Sequence, residues 1–371
     1  MTKGYYIAHI SEDTINNKSI GVSKKICDQL QFFNSLPDTT VSFISFTQRL
    51  GKIRRCLSFF KTSQYDSFYE RIKDADFLYI RAIIPCNKSL ISFLKKIKNT
   101  KQECKILWEI PTYPYDHEMT TFKNKLFLYI DKKNRKQLQK VIDYIVTFSE
   151  DNEIWGTKTL HITNGVDINR IPIIQRKVIK KNEINLIAVA QFYFWHGYDR
   201  LIEGLHNYYS STEKKDIIVN LHLVGTITHV DYKEIVCRYP ELEKHVIFYG
   251  EKTGVDLDNC FNIADIGICS LGCHRKGSYG KSSELKSREY LSRGLPIISS
   301  LSIDIIPDNN EYLLKISEDD SAINIDKIID FYKKIYSNKK QSEVIAEIRS
   351  FAEEKCTMEY GMKEVSDYLN S

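Results

Sequence analysis

Short apolar runs alternate with amphipathic helical stretches through most of this chain, and that rhythm admits few folds. In the first half, Tyr5 to Ile10, Val41 to Phe46, Phe77 to Ile83, Lys105 to Ile110 and Tyr144 to Phe148 read as strands. Val22 to Leu36, Ser89 to Asn99 and Leu126 to Ile142 read as helices. Strand–helix alternation implies parallel strands joined by crossover helices, which is an open, doubly wound α/β sheet. The rhythm breaks over Ile171 to Asn182, a polar and basic stretch that suits a linker. It restarts at Ile184 and continues through Ile218 to Val224, Val246 to Tyr249, Ile266 to Cys269 and Ile297 to Ser300. Two α/β domains follow, and 371 residues with 42% apolar content are enough for two cores. A final helix is expected from about Ser342 to Leu369.

Composition narrows the setting. No run of 18 apolar residues occurs and the first residues read as a strand rather than a signal segment, so a cytoplasmic protein is expected. Nine cysteines form no CxxC pair, which agrees with a reducing compartment. Cys269, Cys273 and His274 follow an apolar strand, where cysteine is ordinarily a small core residue, so no metal site is expected there. Asp256-Leu-Asp258 reads as acidic charge complementing a helix N-terminus. The net charge of +5 is uneven, with a basic first half and an acidic second half. Basic residues cluster in Arg49 to Lys61, interleaved with Leu57, Phe59 and Phe60, and in Lys123 to Lys140. That pattern suits peripheral contact with an anionic membrane or a solvated basic face; no nucleic-acid module accompanies it, and no nucleic-acid partner is expected.

The segment from Ser282 to Ser300 carries the strongest functional signal. Ser282 or Ser283 is placed to cap a helix whose free N–H groups and dipole attract an anion, Gly294 ends that helix, and Leu295 to Ile298 enter a buried strand through Pro296. Lys286 and Glu289 are three apart and project from one helix face, a cation for a phosphate and a carboxylate for a pair of hydroxyls. An ordinary surface helix with an ion pair between the two is the plainer reading.

Lys286, Glu289, Tyr290, Gly294 and Pro296 fall on the pattern Lys-x-x-Glu-Tyr-x-Ala-x-Gly-x-Pro, with Ser292 at the small position. The segment resembles the nucleotide-sugar signature of GT-B glycosyltransferases, especially retaining family 4, of the kind found in bacterial capsule and O-antigen synthesis. Ile187 to Leu205 resembles the first strand, glycine turn and helix of the family's C-terminal domain, matching at Gly197, Asp199, Leu201 and Ile202. Ala190 and Gln191 replace the usual Gly-Arg, His196 replaces a lysine, and Lys281 stands where the family carries the first of two paired glutamates, with Glu284 as a displaced substitute. Upstream, Gly21 resembles the turn glycine after the first strand, and Asn164-Gly-Val-Asp167 resembles a loop common near the family's domain junction.

The resemblance implies two Rossmann-like doubly wound domains facing a cleft: residues 1–175 on the acceptor side, 176–350 binding nucleotide sugar, and 351–371 crossing back to the first domain. It implies Glu289, Gln191, Gly197, Ser283, Glu284 and Gly21 as donor-binding residues. It implies His117, Lys286 and His196 as catalytic, with no cofactor or metal and a nucleoside-diphosphate sugar as donor. Trp108 to Glu118 follows a strand end, where such sheets bind ligands; His117 is the family-like candidate there, Asp116 and Glu118 lie beside it, and Glu109 is the alternative carboxylate. The implied activity is retaining transfer of a sugar to an acceptor hydroxyl, on a lipid-linked or growing saccharide. A non-catalytic relative acting as partner or regulator is the alternative, because Gln191, His196 and Lys281 depart from the pattern. No Gly-x-Gly-x-x-Gly follows the first strand of either half, which argues against a dinucleotide enzyme.

Overall fold

The computed structural model describes residues 1–15, 21–46, 65–116, 122–175, 182–212, 215–277 and 280–371. The chain forms two compact units, Met1–Thr163 with Gly361–Ser371, and Asn164–Tyr360.

The first unit is built on β1 (Thr2–Ala8), α1 (Gly21–Ser35), β2 (Thr39–Ser45), β3 (Phe77–Arg81), α2 (Lys88–Thr100), β4 (Lys105–Ile110), α3 (Phe122–Arg135) and β5 (Tyr144–Thr147), followed by the hairpin strands β6 (Glu153–Ile154) and β7 (Thr157–His161). Strand order is β2-β1-β3-β4-β5-β7-β6, parallel except for the β6–β7 pair. The helix α2 shows how local sequence sets such an element: Asn87 caps it by accepting from Leu90 N at 2.9 Å, and Leu90, Ile91, Phe93, Leu94 and Ile97 bury one face. Gly21 is the first residue of α1 rather than part of the preceding turn.

The second unit runs through β8 (Glu183–Val189), α4 (Tyr198–Ser210), β9 (Ile218–Val224), β10 (Val246–Gly250), α5 (Gly254–Phe261), β11 (Ile266–Ile268), β12 (Lys281–Ser282), α6 (Leu285–Ser292), β13 (Ile297–Ser299), β14 (Ser302–Ile303) and β15 (Leu313–Lys315). It closes with α7 (Ile325–Tyr336) and α8 (Gln341–Lys355). Its main sheet has the order β10-β9-β8-β11-β13-β15 and is parallel throughout; β12 and β14 make a separate two-stranded ribbon. In both sheets the first strand is flanked by its successors on opposite sides, so each has a topological switch point, between β1 and β3 and between β8 and β11.

Three further sequence expectations change. The single helix from Ser342 to Leu369 is broken into α8, a turn at Met358–Gly361 and α9 (Lys363–Asn370). Gly361 explains the break: a Cβ there would lie 2.6 Å from Thr163 O, and its own carbonyl accepts from Thr163 N at 3.0 Å. The expected linker is also not free-standing at its start. Ile174 is buried, its N–H donates to Arg293 O at 3.0 Å, and Gln175 N donates to Asn262 Oδ1 at 2.8 Å, all within the second unit. Finally, α3 stops at Arg135, and Leu138–Lys140 is a separate 3₁₀ turn.

Candidate functional site

In the second unit, two loops meet at the switch point, one after β8 and one after β11. The first must turn tightly beside its neighbours. Gly225 has φ +142° and a Cβ there would sit 1.7 Å from Ala190 O, while Gly197 has φ +65° and a Cβ would reach Gly272 N at 2.6 Å. Glycine is required at both places, because left-handed backbone and missing space coincide. The loops are then joined by Leu271 N donating to His196 O at 2.8 Å and Gly272 N to Trp195 O at 3.2 Å. Two arginines fix the second loop. Arg200, fully buried, donates to Leu271 O and to Ser321 O at 2.9 Å. Arg275 grips Asp199 at 2.7 and 2.8 Å and Asp320 at 2.6 Å.

His196 sits where these loops cross, 8% exposed and stacked on Tyr198 with ring centroids 5.5 Å apart. Burial, followed by the charges of Lys286 and Lys276, pushes its imidazole down to about 2, so it is neutral at physiological pH. Its Nδ1 accepts the Tyr193 N–H at 3.2 Å, which assigns the proton to Nε2. His196 is therefore a hydrogen-bond donor rather than a cation. Gln191 is exposed at the start of the same loop.

Two cations bear on that imidazole. Lys286 Nζ lies 3.3 Å from Tyr198 OH and 4.0 Å from Glu284 Oε2. Lys276 was not singled out by sequence reasoning. It is the last of three consecutive basic residues; His274 and Arg275 are both paired with Asp320, whereas Lys276 has no carboxylate partner among the described residues and lies 5.3 Å from the Trp195 ring centroid. Its position depends on the Arg200 and Arg275 contacts, which no local sequence signal announces.

The helix start is displaced from its expected place. Ser282 belongs to β12, so neither Ser282 nor Ser283 caps α6. Glu284 is the cap residue, and its side chain makes no capping hydrogen bond. The Glu284 carboxylate turns instead to Ser270, accepting from Oγ at 2.8 Å and N at 3.3 Å. The N-terminus of α6 is thereby left with the donor groups that an anion takes. Ser283 Oγ accepts from Asn164 N at 2.9 Å and from Arg288 Nη2 at 3.2 Å. Arg288, also missed by sequence reasoning, is completely buried. It donates to Asn164 O at 3.0 Å, Ser287 Oγ at 3.1 Å and Glu284 O at 3.4 Å, and pairs with Asp304. One guanidinium thus ties the Asn164 loop to the opening of α6.

The rest of the motif divides between packing and surface. Tyr290 is buried and its hydroxyl accepts the Val189 N–H at 2.9 Å, docking α6 on the end of β8. Gly294, at φ +84°, ends the helix. Glu289 pairs with Arg293 at 3.2 Å, not with Lys286, and Arg293 also meets Asp258 at 2.8 Å, which gives the acidic Asp256–Asp258 stretch a structural partner. A cavity of about 380 Å³ opens beside the first loop, lined by Phe192, Leu223, Thr226, Ile227, Lys233 and Phe248, within the usual range for a small-molecule site.

In the first unit, His117 and Glu118 lie outside the described residues, as does the basic segment from Arg49 to Lys61. Asp116 pairs with Arg135 at 2.7 Å and Lys132 at 3.0 Å, and that Arg135 contact holds its carboxyl down to about 2. Glu109 is fully buried in a hydrogen-bonded network. Among the described residues no group of three or more His, Cys, Asp or Glu is placed to hold a metal ion, and no helix is long and apolar enough to cross a membrane.

Solved structures with the same architecture settle the fold. The chain matches the lipopolysaccharide outer core galactosyltransferase WaaB in its apo form, with a TM-score of 0.61 and 16% identity over 100% of both chains. A glycosyltransferase from Rickettsia africae gives 0.59 and 11%, over 100% of this chain and 99% of that one. HepE from Anabaena, solved in complex with UDP-glucose, gives 0.54 and 11% over 100% of both. The fold is that of the GT-B glycosyltransferases. No protein-family model matches the sequence and no curated protein matches it, so the GT-B assignment rests on three-dimensional likeness and on the motifs above.

Proposed function

We propose that the chain is a retaining glycosyltransferase that moves a sugar from a nucleoside-diphosphate sugar to an acceptor hydroxyl on a lipid-linked or growing saccharide. The observation that carries this reading is the N-terminus of α6 at a switch point, without a capping bond from Glu284, with Lys286 in its first turn and with Lys286 and Lys276 both bearing on His196. Charge develops on the departing diphosphate as its bond to the anomeric carbon breaks, and donors fixed in advance stabilise that charge with little reorganisation. In this reading Lys286 and the α6 amides hold the diphosphate. Lys276 supplies the charge that Gln191 cannot, and His196 donates from Nε2. Glu289 binds the ribose hydroxyls, and the base enters the cavity beside Phe192 and Phe248. Glu284 positions Ser270, and Ser283 positions the Asn164 loop.

Retention follows if the acceptor oxygen attacks the face that the diphosphate leaves. The new bond forms to the acceptor oxygen, and the leaving phosphate oxygen takes the acceptor proton. NMR of the product anomeric centre tests this, since an inverted product excludes front-face attack. Slow hydrolysis of the donor sugar separates the transferase from the non-catalytic alternative, which binds nucleotide without releasing sugar.

A further inference from the structure

The first unit has its own switch point between β1 and β3, and a charge cluster lies there. Arg81 ends β3 and stands directly opposite Glu109 on β4; Lys25 and Gln29 come from α1, which follows β1. Glu109 is fully buried. Its Oε2 accepts from Tyr79 OH at 2.7 Å and Gln29 Nε2 at 2.9 Å, and Gln29 in turn accepts from Tyr6 OH at 2.7 Å. Its Oε1 faces both cations, Arg81 Nη1 at 2.5 Å and Lys25 Nζ at 3.7 Å. Lys25 also lies 3.9 Å from the Phe148 ring centroid.

The arithmetic of charge does not balance. Two cations share one carboxylate, and among the described residues neither has a second. Both are largely buried but reachable, with side-chain exposures of 18% for Lys25 and 13% for Arg81. A poorly compensated cation in such a place is unfavourable unless an anion completes it. Burial, only partly offset by Glu109, pushes Lys25 down to about 8, in line with that shortfall. The network below Glu109 is fully hydrogen-bonded, so Glu109 acts as an anchor that holds the cations at the strand ends. An arginine fork beside a lysine ammonium matches phosphate geometry and charge.

We propose that Lys25 and Arg81 form an anion site at the switch point of the first unit, which takes the phosphate ester of the sugar acceptor. The anion site stands independently of the donor chemistry; its assignment to the acceptor rests on the transferase reading.

Titration calorimetry of the full chain with octyl phosphate tests the site, with octanol as the uncharged control and inorganic phosphate as competitor. Wild type is expected to bind octyl phosphate and not octanol. Lys25→Met should weaken binding at least tenfold, Glu109→Gln should tighten it severalfold by removing the carboxylate that competes for the cations, and Lys333→Ala, an exposed lysine of α7, should leave it unchanged. Unliganded melting temperatures show that the variants are folded. Displacement by inorganic phosphate through Lys25 supports a site satisfied by the phosphate alone; failure to displace supports one that also uses the alkyl chain. Equal binding of octanol, insensitivity to both Lys25→Met and Glu109→Gln, or an equal loss in Lys333→Ala would overturn the proposal. Nucleoside diphosphate binding by Lys25→Met is the separate check on the donor reading. If wild type binds no nucleotide while octyl phosphate binding still depends on Lys25, the donor reading fails and the anion site stands.

Discussion

Replacing Arg288 with methionine removes a side chain that joins the Asn164 loop, Ser283, Ser287 and Asp304 around the start of α6. The guanidinium is completely buried and Asp304 is 12% exposed, so Arg288→Met leaves a carboxylate without its cation and several acceptors without donors. Breaking one side of a buried pair costs about 3–5 kcal/mol. At roughly 2–4 °C per kcal/mol for a unit of this size, the second unit should melt some 6–20 °C lower. Calorimetric melting of wild type and variant measures this directly. The double variant Arg288→Met, Asp304→Leu removes the stranded charge as well, and should recover most of the loss. The reasoning is refuted if the single variant melts within about 1 °C of wild type, or if the double variant is no better than the single.

Lys286→Ala and Lys276→Ala should each weaken nucleoside diphosphate binding by roughly 10- to 100-fold, the range for losing a charged hydrogen bond. Titration of the plain nucleoside, which lacks the phosphates, should be unaffected by either. Ser292 is fully buried and its hydroxyl has no partner among the described residues, so Ser292→Ala should be neutral or stabilise by up to about 1 kcal/mol in urea unfolding. Asp116 has a folded pKa depressed to about 2, chiefly by Arg135, so its contribution is present above the unfolded value near 3.8 and is lost as pH falls through about 2. Asp116→Asn should therefore cost no more than about 1 kcal/mol near pH 7, because solvent screens a pair this exposed, and little near pH 2, read from unfolding curves across that range.

What the sequence made legible was whatever local pattern determines. Strand periodicity located the parallel sheets, and the Lys286 to Pro296 spacing located α6, because Tyr290 and Gly294 act through the helix and strand next to them. Long-range contacts hid the rest. The start of α6 was misplaced because Ser282 pairs with Ile303 in a ribbon, a partner that nothing near Ser282 reveals. Lys286 and Glu289 share a helix face, yet Glu289 is paired by Arg293 and Lys286 leans on Tyr198 from another element. Arg288, between Ser287 and Glu289, carries no local sign of burial, because that burial depends on Asn164 and Asp304. The break in the last helix did leave a trace, since Gly361 is a glycine inside a helical pattern.

The most direct test of the central claim is titration of wild type and Glu289→Ala with a panel of nucleoside diphosphates and their sugars. The account predicts that one base binds wild type at a single site, with the diphosphate required and with affinity reduced at least tenfold by Glu289→Ala but much less by Glu284→Ala. No binding of any nucleotide at millimolar concentration, or equal losses in the two variants, would contradict it.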